Sequence, residues 1–168
     1  GLSGLKSIGG DFEVNAKSSS SSSLKSLASF EGLESLETIG GNFRVIAESS
    51  SSLNSLSSFK GLSGLKSIGG DFEVNAKYSS SLNSLASFEG LESLETIGGN
   101  FEVNAKSSSY SSSSLKSLAS FEGLESLETI GGNFRVIAES SSSLNSLSSF
   151  KGLSGLKSIG GDFEVNAK

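Results

Sequence analysis

One pattern, residues 32–48 reading GLESLETIGGNFRVIAE, recurs six times in 168 residues, with copies beginning at Gly1, Gly32, Gly61, Gly90, Gly123 and Gly152. A chain this repetitive is an array before it is anything else, because a unit of about 30 residues buries its apolar face only against neighbours like itself. Within the unit the hydrophobic period changes. Leu33, Leu36 and Ile39 recur every third residue, whereas Phe43, Val45 and Ala47, beyond the glycine pair Gly40 and Gly41, alternate with other positions. That alternation predicts a strand with one buried face.

The period of three also runs backwards, since Leu24, Leu27 and Phe30 lead into Leu33. A full turn therefore reads LxxLxxFxGLxxLxxIGGxFxVxA, with nine inward positions and a serine-rich spacer. The copy starts are 31, 29, 29, 33 and 29 residues apart, and the whole variation lies in the spacers at 18–23, 49–52, 78–81, 107–114 and 140–143. Constant coil length where turns stack, with slack on one loop side, is solenoid behaviour. A strict three-residue step drifts off the 3.6-residue stripe of an α-helix, and Gly32 with the dense serine content weakens a helix further. The period-three side is expected to be short extended or 3₁₀-like pieces that turn corners. The paired glycines are expected to form a tight corner before the strand, through positive φ or close backbone approach. Residues 1–168 then make one mainly all-β array of six turns of about 29 residues, uncapped, since both terminal copies carry the same apolar pattern.

Composition narrows the partners. The formal charge of −5 argues against nucleic acid and anionic membrane, which call for a basic patch. No apolar run approaches the roughly 20 residues of a membrane span. Cysteine is absent, which excludes disulfides and thiolate metal sites. The chain holds no Asn-x-Ser/Thr sequon, so any glycans would be O-linked, on the serine tracts.

The copies are of two kinds. Residues 1–17, 61–77 and 152–168 are identical, as are 32–48 and 123–139, and the two kinds differ by charge reversal at outward positions. Glu13, Arg44, Glu73, Glu102, Arg135 and Glu164 are expected to stack in one column on the strand face, and Lys17, Glu48, Lys77, Lys106, Glu139 and Lys168 in another. Lys6, Glu37, Lys66, Glu95, Glu128 and Lys157 make a third. Opposite charges on adjacent strands contribute about 0.2 to 1 kcal/mol per pair, and a slipped register brings like charges together. The copy at Gly90 is a hybrid that begins as the second kind and ends as the first, setting Glu73 against Glu102, Lys77 against Lys106 and Glu95 against Glu128. Residues 24–77 recur unchanged as 115–168, the mark of recent duplication, design or a consensus.

Catalysis needs unlike groups converging in a pocket, and here every group is repeated along a rod. Ser3 with Lys6, Ser63 with Lys66 and Ser154 with Lys157 match a serine–lysine spacing, but without companion motifs. The GGDFEV stretches lack the third glycine of calcium-binding repeats, and Asp11 becomes Asn42 in the alternate turn. Thr38, Thr96 and Thr129 are too sparse for an ice-binding ladder. Ile46 and Ile137 are read as exposed apolar residues and candidate lateral contacts. No enzyme activity, cofactor or metal is expected.

The strings GLESLETIGGNF and GLSGLKSIGGDF, preceded by LxSLxSF, resemble the receptor L-domain type of leucine-rich repeat of cell-surface and cell-wall glycoproteins. The resemblance covers the whole chain. It implies a right-handed parallel β-solenoid, leucine-rich-repeat-like, with short strands on several faces. It also implies an extracellular or cell-surface setting and roles in ligand recognition, adhesion or wall structure. The expected function is a structural repeat segment of an extracellular fibre or surface assembly, self-associating end to end or laterally. The alternatives are a recognition module using one face of the solenoid, and a designed or consensus repeat.

Overall fold

The computed structural model describes residues 2–16, 26–47, 53–77, 82–106, 115–139 and 144–167. The serine tracts offered as glycan carriers lie outside these residues, as do Lys17, Glu48 and Lys168. Among the described residues there is no helix, and two six-stranded parallel sheets run the length of the array. One is made of the two-residue strands β1 (Ser7–Ile8), β3 (Thr38–Ile39), β5 (Ser67–Ile68), β7 (Thr96–Ile97), β9 (Thr129–Ile130) and β11 (Ser158–Ile159). The other is made of β2 (Phe12–Ala16), β4 (Phe43–Ala47), β6 (Phe72–Lys77), β8 (Phe101–Lys106), β10 (Phe134–Glu139) and β12 (Phe163–Ala167). Each strand pairs only with its counterparts in the adjacent turns, Phe on Phe, Val on Val and Ala on Ala. The molecule is thus a parallel β-solenoid with turns of about 29 residues.

The period-three side ends in the short strands that hold Ile39, Ile68 and Ile97, and ahead of them it is neither strand nor helix. Its leucines are joined by single i→i+3 turns: Leu56 N donates to Leu53 O (3.2 Å), Leu62 N to Phe59 O (3.1 Å) and Leu65 N to Leu62 O (2.9 Å). Each such turn returns the next apolar side chain to the interior, while Phe59 N donates instead to Glu89 O of the following turn (2.7 Å).

All nine inward positions of the turn from Leu53 to Ala76 are buried to 1 % exposure or less, and the next turn repeats this. Its centre is a double ladder of phenylalanines. Phe12, Phe43, Phe72, Phe101, Phe134 and Phe163 stack with ring centroids 4.7–5.2 Å apart. Phe30, Phe59, Phe88, Phe121 and Phe150 stack at 5.7–6.0 Å, and the two columns meet edge to face. Parallel and edge-on ring contacts of this kind add about 0.5–1.5 kcal/mol each beyond area burial. The ladders run to both ends, where the last rungs lie open: Leu2 is 59 % exposed, Phe150 56 % and Phe163 46 %.

The glycines divide by the backbone requirements they meet. The paired glycines meet the second of their two expected demands, close approach: a Cβ on Gly69 would fall inside contact distance of the Gly40 carbonyl, directly beneath it in the preceding turn. Positive φ occurs instead at the glycine two residues after phenylalanine, as at Gly61 (103°) and Gly90 (102°), where a Cβ would also strike the backbone of Phe30 or Phe59 in the preceding turn. Leu53, Leu82, Leu115 and Leu144, the first residues after the spacers, also take left-handed φ, between 51° and 56°. Burying a leucine contributes about 1.5–3 kcal/mol against about 1–2 kcal/mol for that conformation, so the interior outweighs the local preference.

Candidate functional site

The solenoid converts each repeated residue into an axial column, so its candidate sites are ladders and end faces. On the strand face the register places Glu13, Arg44, Glu73, Glu102, Arg135 and Glu164 side by side in the expected order. Each arginine reaches into the following turn. Arg44 Nε lies 3.3 Å from Glu73 Oε2, with Asp71 Oδ2 3.9 Å from its Nη2, and Arg135 repeats this with Glu164 and Asp162 at 3.6 Å each. Both arginine Nε atoms are buried without an aligned acceptor, so these are charge contacts rather than directed hydrogen bonds. The backbones of Lys77, Lys106 and Glu139 are in register as expected.

The third expected column also forms. Lys66 Nζ bonds Glu37 Oε2 at 2.9 Å, and Lys157 Nζ sits 2.7 Å from Glu128 Oε1. The Glu37 carboxylate holds Lys66 above the ordinary lysine range, chiefly by the hydrogen bond and then by charge. A serine-activating lysine needs the opposite shift, which weighs against the Ser63 and Lys66 pairing. A parallel column escaped the sequence reading: Glu31, Lys60, Glu89, Glu122 and Lys151, with Lys60 Nζ 3.0 Å from Glu31 Oε1 and Lys151 bonded to Glu122.

The position after the glycine pair forms a second unforeseen ladder. Asn42 donates both its backbone N–H (2.7 Å) and its Nδ2 (2.9 Å) to Asp11 Oδ1. Asp71 N then donates to Asn42 Oδ1 (2.8 Å), and the pattern continues through Asn100 and Asn133 to Asp162. An asparagine can accept from the turn above and donate to the turn below, whereas an aspartate only accepts. Following each of Asp11 and Asp71 with an asparagine places both carboxylates under an amide donor. The Asn42 N–H, opposed by desolvation and assisted by the Asn42 amide and Arg44, holds Asp11 below the ordinary carboxylate range. The Asp-to-Asn exchange was visible in the sequence but read only as a lost calcium ligand. Among the described residues no cluster of three or more His, Cys, Asp or Glu is placed to hold a metal ion.

Ile46 and Ile137 differ from expectation. They are half-buried rather than exposed, because Ile46 lies in register between Asn15 and Asn75, and Ile137 between Asn104 and Asn166. Side chains about 4.8 Å apart along a parallel sheet cover one another. The same column shows the weakness of the hybrid turn. There Asn75 lies against Asn104, both Oδ1 atoms are buried without a hydrogen-bond partner, and Glu73 faces Glu102.

On the short-strand sheet, Ser7, Thr38, Ser67, Thr96, Thr129 and Ser158 share one column, so a hydroxyl stands at every turn although threonine occupies half of them. A shallow open groove runs beside it, floored by Gly9, Gly40, Gly69, Gly98 and Gly131. No described helix is long and apolar enough to cross a membrane. Comparison with protein-family models, curated proteins and solved structures gave no match.

The paired charges fix the direction of the pH response. Asp11 and Glu37 titrate below their ordinary values, so their stabilisation is present above the ordinary carboxylate range and is lost as pH falls through the lowered values. Lys60, Lys66 and Lys151 titrate above theirs, so theirs is full below about pH 10.4 and is lost as pH rises through the raised values. Urea midpoints are expected to be level between about pH 5 and 10 and to fall on both sides. Glu37→Gln should shrink both limbs.

Proposed function

We propose that the chain is a structural repeat segment of an extracellular fibre or surface assembly, stacking turn on turn. The observation that carries this reading is the in-register stacking of each long strand on its counterpart in the next turn, Phe on Phe and Val on Val. The two phenylalanine columns continue this through the described turns, with ring centroids 4.7–5.2 Å apart in one and 5.7–6.0 Å apart in the other. The resemblance to receptor L-domain repeats supports a right-handed coil and a cell-surface or wall setting.

Electron microscopy and solution scattering at micromolar concentration test it, in about 0.15 M and about 1 M salt, where the screening length falls from about 8 to about 3 Å. Rods several chains long in high salt, with an axial repeat near 4.8 Å, are the expected result. Particles of single-chain length in both salts would reject end-on stacking. A recognition module would then be the better reading, favoured by the groove beside the hydroxyl column.

A further inference from the structure

Charge on the strand face also has an order along each strand, across the axial columns. Alternate residues of a strand share a face, so the outward positions of β6 are Glu73, Asn75 and Lys77, and those of β8 are Glu102, Asn104 and Lys106. Those of β10 are Arg135, Ile137 and Glu139. Each row begins with one charge, has an uncharged residue at its centre and ends with the opposite charge. The sequence repeats this at 13–17, 44–48 and 164–168. A second-kind turn reverses both charges of its row together, and the hybrid turn keeps the rule because its strand is of the first kind throughout.

A row of this form is complementary to itself turned round. A second copy facing the strand sheet about a two-fold axis parallel to the rod reverses the strand direction and keeps turn against turn. Glu73 then lies opposite Lys77 of the second copy, and by the symmetry Lys77 lies opposite Glu73. Glu102 and Lys106 exchange in the same way, as do Arg135 and Glu139. At the centre each residue meets its own equivalent. Asn75 and Asn104 carry both a donor and an acceptor, and Ile46 and Ile137, half-buried within the chain, meet as apolar pairs. Rods facing each other antiparallel set the start of one row against the start of another. Centred on the same turns, that arrangement brings Arg44 to Arg135 and Glu73 to Glu102, like charge to like.

We propose that the strand face is a self-recognition surface, at which two copies of this chain pair face to face about a two-fold axis parallel to the rod. Aligned packing of two sheets is a common arrangement, and here charge fixes its direction. With outward positions about 6.6 Å apart and turns about 4.8 Å apart, six turns bring together about 1,100 Å² over both partners, the weak end of specific interfaces. The pairing adds mass at constant length. It is therefore tested apart from turn-on-turn stacking, which adds length.

Sedimentation equilibrium of the full chain at about 0.15 M salt and concentrations up to about 100 µM should show a dimer, weakened about tenfold or more at about 1 M salt, where the pairs are screened. A variant carrying E73K and E102K should be monomeric, and so should one carrying K77E and K106E. An equimolar mixture of the two should dimerise, because each then supplies the charges the other lacks. A monomeric parent, variants that dimerise as the parent does, or a mixture that stays monomeric would each overturn the proposal.

A second measurement needs no change of charge. The chain holds no cysteine among its described residues or elsewhere, so Ile46→Cys introduces a single thiol. With rods parallel this thiol faces its own equivalent, and a short thiol cross-linker should yield a covalent dimer. Ile46→Cys that links only when mixed with Ile137→Cys would show antiparallel rods and overturn the assigned axis.

Discussion

Gly98→Ala is expected to part the rod between its third and fourth turns. A Cβ at this position would be driven into the carbonyl of Gly69 in the turn beneath, a backbone atom that cannot swing aside. Relief requires lifting one turn off the other, which strains the bonds from Gly98 N to Ile68 O and from Gly99 N to Gly70 O, each 2.9 Å. Two such bonds at about 1 kcal/mol each and overpacking of about 1–3 kcal/mol give a loss of about 3–5 kcal/mol. Gly9→Ala alters the same position of the same motif, but its Cβ meets open space, so its effect should stay within about 0.5 kcal/mol. Urea denaturation followed by circular dichroism measures both. Similar losses in the two variants would mean that the glycine pair serves local conformation and not inter-turn contact.

Phe101→Ala should cost about 3–5 kcal/mol, the range for a fully buried aromatic. Its ring stacks on Phe72 at 4.9 Å and on Phe134 at 4.7 Å, and meets Phe88 edge to face at 5.4 Å. No neighbour can fill the space without leaving its own rung. The same change at Phe163, which is 46 % exposed and stacked on one face, should cost less than half as much. In an array held by nearest-neighbour interfaces, a central gap should also divide unfolding into two steps. A single transition with an unchanged urea slope would instead show that stability resides within turns.

Much of the fold was legible because burial repeats. The nine inward positions, the alternating strand from Phe43 to Ala47 and the charge column through Arg44 follow from periods of three and two and from equal coil lengths. Other features were less accessible. Leu53 looks like any other leucine of the pattern, yet its backbone is left-handed, a demand set by how the chain re-enters the core after the spacer. Glycines 61 and 69 look alike in sequence, but Gly61 supplies both positive φ and room, whereas Gly69 supplies room alone. The candidate columns were found where charge alternates, whereas the Asp11 to Asp162 ladder was missed because its bond is made by amide geometry and not by charge. Ile46 was misjudged because single-strand reasoning exposes every outward residue, while its neighbours in adjacent turns cover it.

The sequence by itself determined that this chain is a parallel array of six equivalent turns, which positions face inward, and which residues share an axial column. Those properties depend only on periodicity and on the equality of turn lengths, and both can be counted along the chain. Only the tertiary structure decided how the turns touch. The choice between local conformation and close approach at each glycine, the direction in which each arginine reaches and the donor and acceptor of each ladder bond all depend on atoms about 29 residues apart in sequence and about 5 Å apart in space. The open end rungs belong to the same class, since whether a phenylalanine is core or surface depends on whether another turn lies above it.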